Sequence, residues 1–90
     1  MTKAYTITET AIAANGIDLT LPEEFETAAS SAIAALSKHY MEAIDYMKGE
    51  LMCGGSHADG ESIRIEVYDP EDPEFYDVVE ISYGEVREMM

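Results

Sequence analysis

Apolar residues recur every three or four positions between Phe25 and Leu51, and this repeat limits the folds open to the chain. It lasts about seven helical turns, which predicts one amphipathic helix over residues 22–50. Pro22 suits a first helical turn, and Thr20 with Glu23 matches a capping pattern. The repeat consists of Phe25, Ala29, Ile33, Leu36, Tyr40, Ile44, Met47 and Leu51.

The segments on either side of this helix have the pattern of β-strands. Residues 3–21 predict a hairpin that turns at Asn15-Gly16, pairs Ala14 with Ile17, and pairs Ile12 with Leu19. The apolar side of its first strand changes near residues 9–11, which predicts a bulge. After a glycine-rich loop, two more strands are expected around residues 63–68 and 79–83. Two prolines predict a loop at 69–74, and the tail 85–90 is either a short helical turn or frayed.

Residues 1–90 are therefore predicted to form a single α+β domain. Its antiparallel sheet has about four strands in β-β-α-β-β order, with one long helix packed on one face. In the predicted core, Phe25, Ile33, Leu36, Tyr40, Ile44 and Met47 of the helix pack against Ile17, Leu19, Ile63, Ile65, Val67, Val79 and Ile81 of the strands.

The charge of the chain excludes several classes of function. Nineteen acidic residues against five basic ones give a net charge of −14. Direct binding to nucleic acid or to an anionic membrane is excluded, because phosphate contacts need Lys and Arg. The single cysteine rules out an internal disulfide framework. The first residues show no apolar leader, which predicts a cytoplasmic protein, located in the host cytoplasm if a phage encodes it.

No pattern of catalytic or metal-binding residues is complete. Cys53 and His57 form one close pair, with His39 on the helix, but a structural zinc site needs four ligands. The acids at 69–74 lack the glycine and the spacing of an EF-hand loop. No phosphate-binding loop or nucleophile elbow is present. We therefore expect no enzyme activity, no metal and no cofactor.

The arrangement of the acidic residues indicates a positively charged partner. A solvated surface or a halophilic adaptation also explains acidity, but solubility needs only about half this charge, and self-repulsion destabilises the fold. The stretch 69–80 holds six acids and no Lys or Arg. The predicted contact consists first of Asp69, Glu71, Asp72, Glu74 and Asp77, with Tyr68 and Tyr76 as aromatic anchors, and then of Glu42 and Asp45 on the helix. A homodimer through the uncharged residues 27–37 is a further expectation.

In size, charge and its acidic loop Asp69-Pro-Glu-Asp-Pro-Glu74, the chain resembles the small phage-encoded inhibitors of host defence. These are the anti-CRISPR proteins and the DNA-mimic anti-restriction proteins. The resemblance implies a non-catalytic inhibitor that binds a basic nucleic-acid-binding effector through a surface that mimics nucleic acid. The alternative is an acidic antitoxin or immunity-type protein that neutralises a basic nuclease. No motif defines these groups, so the resemblance assigns no individual residue.

Overall fold

The chain folds as an antiparallel four-stranded sheet with a long helix across one face, and this confirms the predicted α+β class. The computed structural model describes residues 1–90. The strands lie in the order β2-β1-β3-β4, with β2 and β4 at the two edges. The elements are β1 (Lys3–Ile12), β2 (Glu23–Ala29), α1 (Ala32–Met52), β3 (Ser62–Asp69), β4 (Asp72–Ser82) and a short α2 (Tyr83–Met89).

The predicted helix is wrong in its first third, because Glu23–Ala29 forms strand β2. This strand pairs with β1 from Lys3↔Ala29 to Glu9↔Glu23. The Thr20–Glu23 cap is therefore wrong too, and Ser31 caps α1 by accepting a hydrogen bond from the Ala34 amide at 3.1 Å. Pairing with β1 covers a sheet edge that a longer helix would leave open, so tertiary context overrides the local pattern.

The core lies between α1 and the sheet, and much of it was predicted. Leu36, Ile44 and Met47 on α1 are buried, as are Ile65, Val67 and Ile81 on the strands, while Tyr40, Ile63 and Val79 pack partly buried against them. The prediction is wrong for four residues, which are 39 to 69% exposed. These are Ile17, Leu19, Phe25 and Ile33.

Strand β1 does change its buried side, but it does so without the predicted bulge. Tyr5 and Ile7 are buried in the core, whereas Thr10 and Ile12 are buried on the opposite face. The register with β3 runs without a break. The second half of the predicted hairpin forms only one bridge, Ile12↔Asp18, in place of the expected Ile12–Leu19 pair.

A turn forms at Asn15-Gly16, and Gly16 takes a positive φ of 87°. It is not the predicted two-residue hairpin turn, which needs a positive φ at Asn15 as well, and the backbone bond joins Ala13 rather than Ala14 to Ile17. The segment that follows reaches Arg64, whose side chain lies 3.7 Å from the Asp18 carboxylate. The change of buried side in β1 therefore comes from a covering segment rather than from a kink in the strand.

The second hairpin, β3–β4, turns more tightly than the predicted loop. Strand β4 begins at Asp72 and includes Pro73, next to a register shift after Tyr68. An edge strand tolerates proline close to a turn, so the placement of the whole stretch 69–74 in a loop was wrong. The tail forms α2, where Ser82 and Glu85 make a reciprocal capping box, so the helical alternative is confirmed.

Candidate functional site

The β3–β4 hairpin brings the predicted loop acids together at one end of the sheet. Glu71, Asp72 and Glu74 are exposed around the turn. The Asp69 carboxylate accepts a hydrogen bond from the Glu71 amide at 2.9 Å, and the Asp72 carboxylate accepts one from the Glu74 amide at 3.3 Å. These local bonds hold the backbone of the turn, as aspartate side chains commonly do. The hairpin therefore presents its carboxylates from an ordered turn.

The sheet has one face without a helix, which we call the open face. Ile65 and Val67 point into the core, so the alternate residues of β3 point the other way. Residues directly opposite each other in the register share a face. The open face carries Thr6, Thr8, Glu24, Glu26, Arg64, Glu66, Tyr68, Tyr76, Val78 and Glu80.

Tyr68 and Tyr76 form an exposed aromatic pair on the open face beside the acidic turn. They are register partners, and their ring centroids lie 5.2 Å apart in a tilted arrangement. Their exposures are 39% and 51%. The Tyr68 hydroxyl donates to Glu66 Oε2 at 2.8 Å, while Arg64 Nε donates to Glu66 Oε1 at 3.2 Å. Glu66 therefore holds the ring of Tyr68, the ring of Tyr76 packs beside it, and both rings remain available for contact.

The Glu66 carboxylate interacts with Arg64, Tyr68 and Tyr76, and these interactions change its pKa and those of the tyrosines. Burial works to raise the pKa of Glu66, but its interactions with the two tyrosine hydroxyls and with Arg64 outweigh burial, so its pKa is lowered. The hydrogen bond to Glu66, followed by burial, raises the pKa of Tyr68. Burial, followed by its interaction with Glu66, raises the pKa of Tyr76. At neutral pH, Glu66 is therefore ionised while both hydroxyls keep their protons.

We expect the double variant Tyr68→Phe/Tyr76→Phe to raise the pKa of Glu66, because two groups that stabilise its ionised form are lost. A carboxylate whose pKa is depressed in the folded state stabilises the fold above its unfolded pKa, and this contribution disappears as the pH falls through the folded value. An NMR titration of the Glu66 side-chain carbon measures the shift. Tyr5→Phe is the control, since Tyr5 lies on the other face, and an unchanged Glu66 titration in the double variant would contradict the arrangement.

Lys3, which is distant in sequence, neutralises part of the predicted acidic site. Its Nζ lies 2.8 Å from Asp69 Oδ2 and 2.8 Å from Glu71 Oε2. These two hydrogen bonds are the main reason that the pKa of Lys3 is raised. The bond from Lys3, followed by the bond from the Glu71 amide, lowers the pKa of Asp69. The acids of the hairpin that pair with no Lys or Arg are Asp72, Glu74, Asp77 and Glu80.

The structure divides the predicted contact residues between two layers. Asp77 is the register partner of Val67, so it lies on the helix side of the sheet, where it is exposed. Glu42 and Asp45 are exposed on α1. Glu42 also lines a cleft of about 400 Å³ between α1 and the sheet, together with Glu9 and Glu23. The acids of the turn and the tyrosines therefore form one surface, Asp77 lies on the other face of the same hairpin, and the helix acids form a separate surface on α1.

Sequence reasoning missed a buried polar relay between α1 and the sheet. His39 Nδ1 lies 3.1 Å from Glu9 Oε1, and His39 Nε2 lies 2.6 Å from Thr27 Oγ1. A carboxylate only accepts, so Nδ1 donates to Glu9, and in the neutral imidazole Nε2 then accepts from the Thr27 hydroxyl. This order resembles an acid–histidine–hydroxyl relay, but a nucleophile must reach its substrate and Thr27 is buried. In this geometry the relay ties the helix to strands β1 and β2.

The residues considered for zinc have other contacts. Cys53 is exposed at the end of α1. His57 stacks on Tyr83 with a centroid distance of 4.0 Å, and His57 Nδ1 lies 2.7 Å from Glu61 Oε2. Burial raises the pKa of Tyr83 to about 12. Arg87 of α2 donates to the Asp59 carboxylate and to the His57 carbonyl. These contacts fix the loop before β3 against α2, and no group of His, Cys, Asp or Glu is arranged to hold a metal ion.

None of the helices has the length and apolar character that crossing a membrane requires. Comparisons with protein families, curated proteins and solved structures find no significant match, so the functional argument depends on the geometry of this chain.

Proposed function

We propose that this protein is a non-catalytic inhibitor that binds a basic nucleic-acid-binding effector, of the kind that CRISPR or restriction systems use. The contact surface is the acidic turn of the β3–β4 hairpin together with the tyrosine pair on the open face. Acidic side chains on this surface take the place of nucleic-acid phosphates, and the protein acts in the cytoplasm where such effectors work.

One observation carries this proposal: uncompensated carboxylates and exposed aromatic rings occur side by side on an ordered hairpin. Asp72 and Glu74 pair with no cation, and Tyr68 and Tyr76 lie next to them on the open face. Charges at the rim of an interface mainly set the association rate and the choice of partner, whereas tyrosines supply much of the binding energy. A basic groove that binds nucleic acid has Lys and Arg for the carboxylates, and it accepts flat rings where bases stack.

A competition assay tests the proposal. Purified CRISPR effector complexes and restriction enzymes are loaded with fluorescently labelled nucleic acid, and the protein is titrated into each one. We expect displacement of the nucleic acid from the cognate effector, because the two ligands occupy the same basic groove. Measured anisotropy should fall to the value of free nucleic acid, and the apparent affinity should weaken as salt increases.

A ternary complex would contradict mimicry. If the effector keeps both ligands without loss of affinity for either, inhibition is allosteric. Inhibition of a basic nuclease that is encoded next to this protein, with no effect on defence effectors, would favour the antitoxin or immunity-type alternative.

A homodimer stays a prediction, and the structure changes its basis. Residues 27–37 do not form one helical face, because they include the end of β2 and the start of α1. Ala35 and Leu36 are buried in the core, whereas Ile33 is 69% exposed. Any contact between two copies through this segment would therefore use the exposed side of α1.

A further inference from the structure

Strand β4 lies at the edge of the sheet, so half of its backbone N–H and C=O groups point away from the sheet. The Tyr83 amide donates to the Glu61 carbonyl at 2.9 Å, which continues the β3–β4 ladder by one step beyond Ser62↔Ser82. Along an antiparallel strand, the N–H and C=O groups of successive residues point alternately towards one neighbouring strand and away from it. The odd-numbered residues of β4 therefore form their backbone hydrogen bonds with β3. The even-numbered Tyr76, Val78 and Glu80 therefore direct their amides and carbonyls outward, where no further strand lies.

A single side-chain contact supports this orientation. The Val78 amide donates to the carboxylate of its neighbour Asp77 at 2.9 Å. An amide paired with β3 would donate to a carbonyl of that strand instead, so this contact indicates that the Val78 amide points outward. An exposed edge strand of this kind is a ready template for another strand. With eleven residues, β4 is also longer than the other edge strand β2, which has seven.

The charge of β4 determines which kind of strand can pair with it. The strand carries Asp72, Glu74, Asp77 and Glu80 and no Lys or Arg. A second copy of this chain would add a strand with the same four acids and no compensating cation, and like charges brought close together on neighbouring strands are destabilising. A basic strand would instead place Lys or Arg opposite these acids on both faces of the extended sheet. The charge of the edge therefore disfavours a second copy of this chain and is complementary to a cationic segment.

We propose that β4 receives an extended, basic segment of the partner protein as a fifth strand. This inference rests on the proposed function, since it describes how the same hairpin holds its basic partner. The backbone bonds to Tyr76, Val78 and Glu80 supply affinity that does not depend on sequence, and the acids select Lys and Arg in the added strand. The tyrosine pair then contacts the side chains of the added strand on the open face.

Amide hydrogen exchange with a defined peptide tests strand addition. The probe is a synthetic peptide with the repeat Lys-Lys-Thr-Thr, which places lysines on both faces of a strand. Its control is the same peptide N-methylated at every backbone nitrogen. The control keeps every charge but cannot donate the ladder hydrogen bonds. We expect the lysine–threonine peptide to slow exchange at Tyr76 and Glu80 by at least about tenfold, and the methylated peptide to bind at least about tenfold more weakly.

Two variants of the protein complete the design. Val78→Pro removes an outward amide without removing a bond to β3, whereas Val78→Thr keeps that amide and serves as its control. We expect Val78→Pro to weaken peptide binding and Val78→Thr to leave it unchanged. The methylated peptide acts on the unaltered protein, so the test does not depend on how well the proline variant folds.

The outcomes separate this inference from the proposed function. Equal binding of both peptides, with no added protection at Tyr76 or Glu80, would overturn strand addition. The proposed function would survive that result if the protein still displaces nucleic acid from an effector. Failure of that displacement, with protection of β4 intact, would overturn nucleic-acid mimicry and leave the basic-strand site in place.

Discussion

Replacing Ile65 by alanine is expected to lower the free energy of unfolding by about 2–5 kcal/mol. Ile65 is fully buried on β3, an interior strand of the sheet, and it belongs to the core cluster that α1 covers. The change removes apolar contacts and leaves a cavity that the strands on both sides cannot easily close. A domain of this size has a total stability of roughly 5–15 kcal/mol, so this one side chain supports a large share of it.

Urea denaturation followed by circular dichroism measures this loss of stability. A second core variant and an exposed control variant are measured in the same way. Leu36→Ala, on the buried face of α1, should lose a similar amount because it contacts the same core. Ile33→Ala is the matched control, since Ile33 is 69% exposed, and it should change stability by no more than about 0.5 kcal/mol. Similar losses for Ile65→Ala and Ile33→Ala would mean that α1 buries a different face.

The parts of the fold that were predicted correctly depend on local patterns. Strict alternation over Ile63, Ile65 and Val67 describes a half-buried strand wherever that strand lies in the sheet, and the glycines after α1 mark the end of the helix. The error at β2 has a physical reason. Phe25 and Ala29 continue the helical spacing of α1. Together with Thr27 they also fall at every second position, as residues on one face of a strand do. Only pairing with the open edge of β1 decides between a helix and a strand here.

The candidate site shows the same division between local and distant information. The acids and tyrosines of the hairpin are adjacent in sequence, so their grouping could be predicted. The contact of Lys3 with Asp69 could not, because it joins the two outer parts of the chain through the register of β1 with β3. The relay of His39 with Glu9 and Thr27 was missed for a similar reason, since it joins α1 to two strands and requires the strand that the sequence pattern concealed.

Reversing three hairpin acids in the variant Asp72→Lys/Glu74→Lys/Asp77→Lys is expected to abolish inhibition and leave the fold intact. All three side chains are exposed and pair with no Lys or Arg. The main cost is the loss of the bonds that Asp72 and Asp77 accept from neighbouring amides, about 0.5–1.5 kcal/mol each, which a domain with a stability of roughly 5–15 kcal/mol tolerates. Asp69 and Glu71 are left in place because Lys3 binds both. The variant carries a net charge of −8 instead of −14, and its hairpin repels a basic groove where the original one attracts it.

Stopped-flow association with the cognate effector measures the effect of this reversal. Charge steering raises association rates by about 10- to 1,000-fold, so the rate should fall by at least about tenfold and should lose most of its dependence on salt. The control reverses three exposed acids outside the predicted contact, in the variant Glu23→Lys/Glu26→Lys/Glu88→Lys, and has the same net charge. If attraction came only from the overall field of the protein, both variants would slow association equally, and the hairpin would lose its assignment as the contact. If only the hairpin variant associates more slowly, the position of the acids rather than the total charge determines the association rate, because the two variants differ only in where the lysines lie.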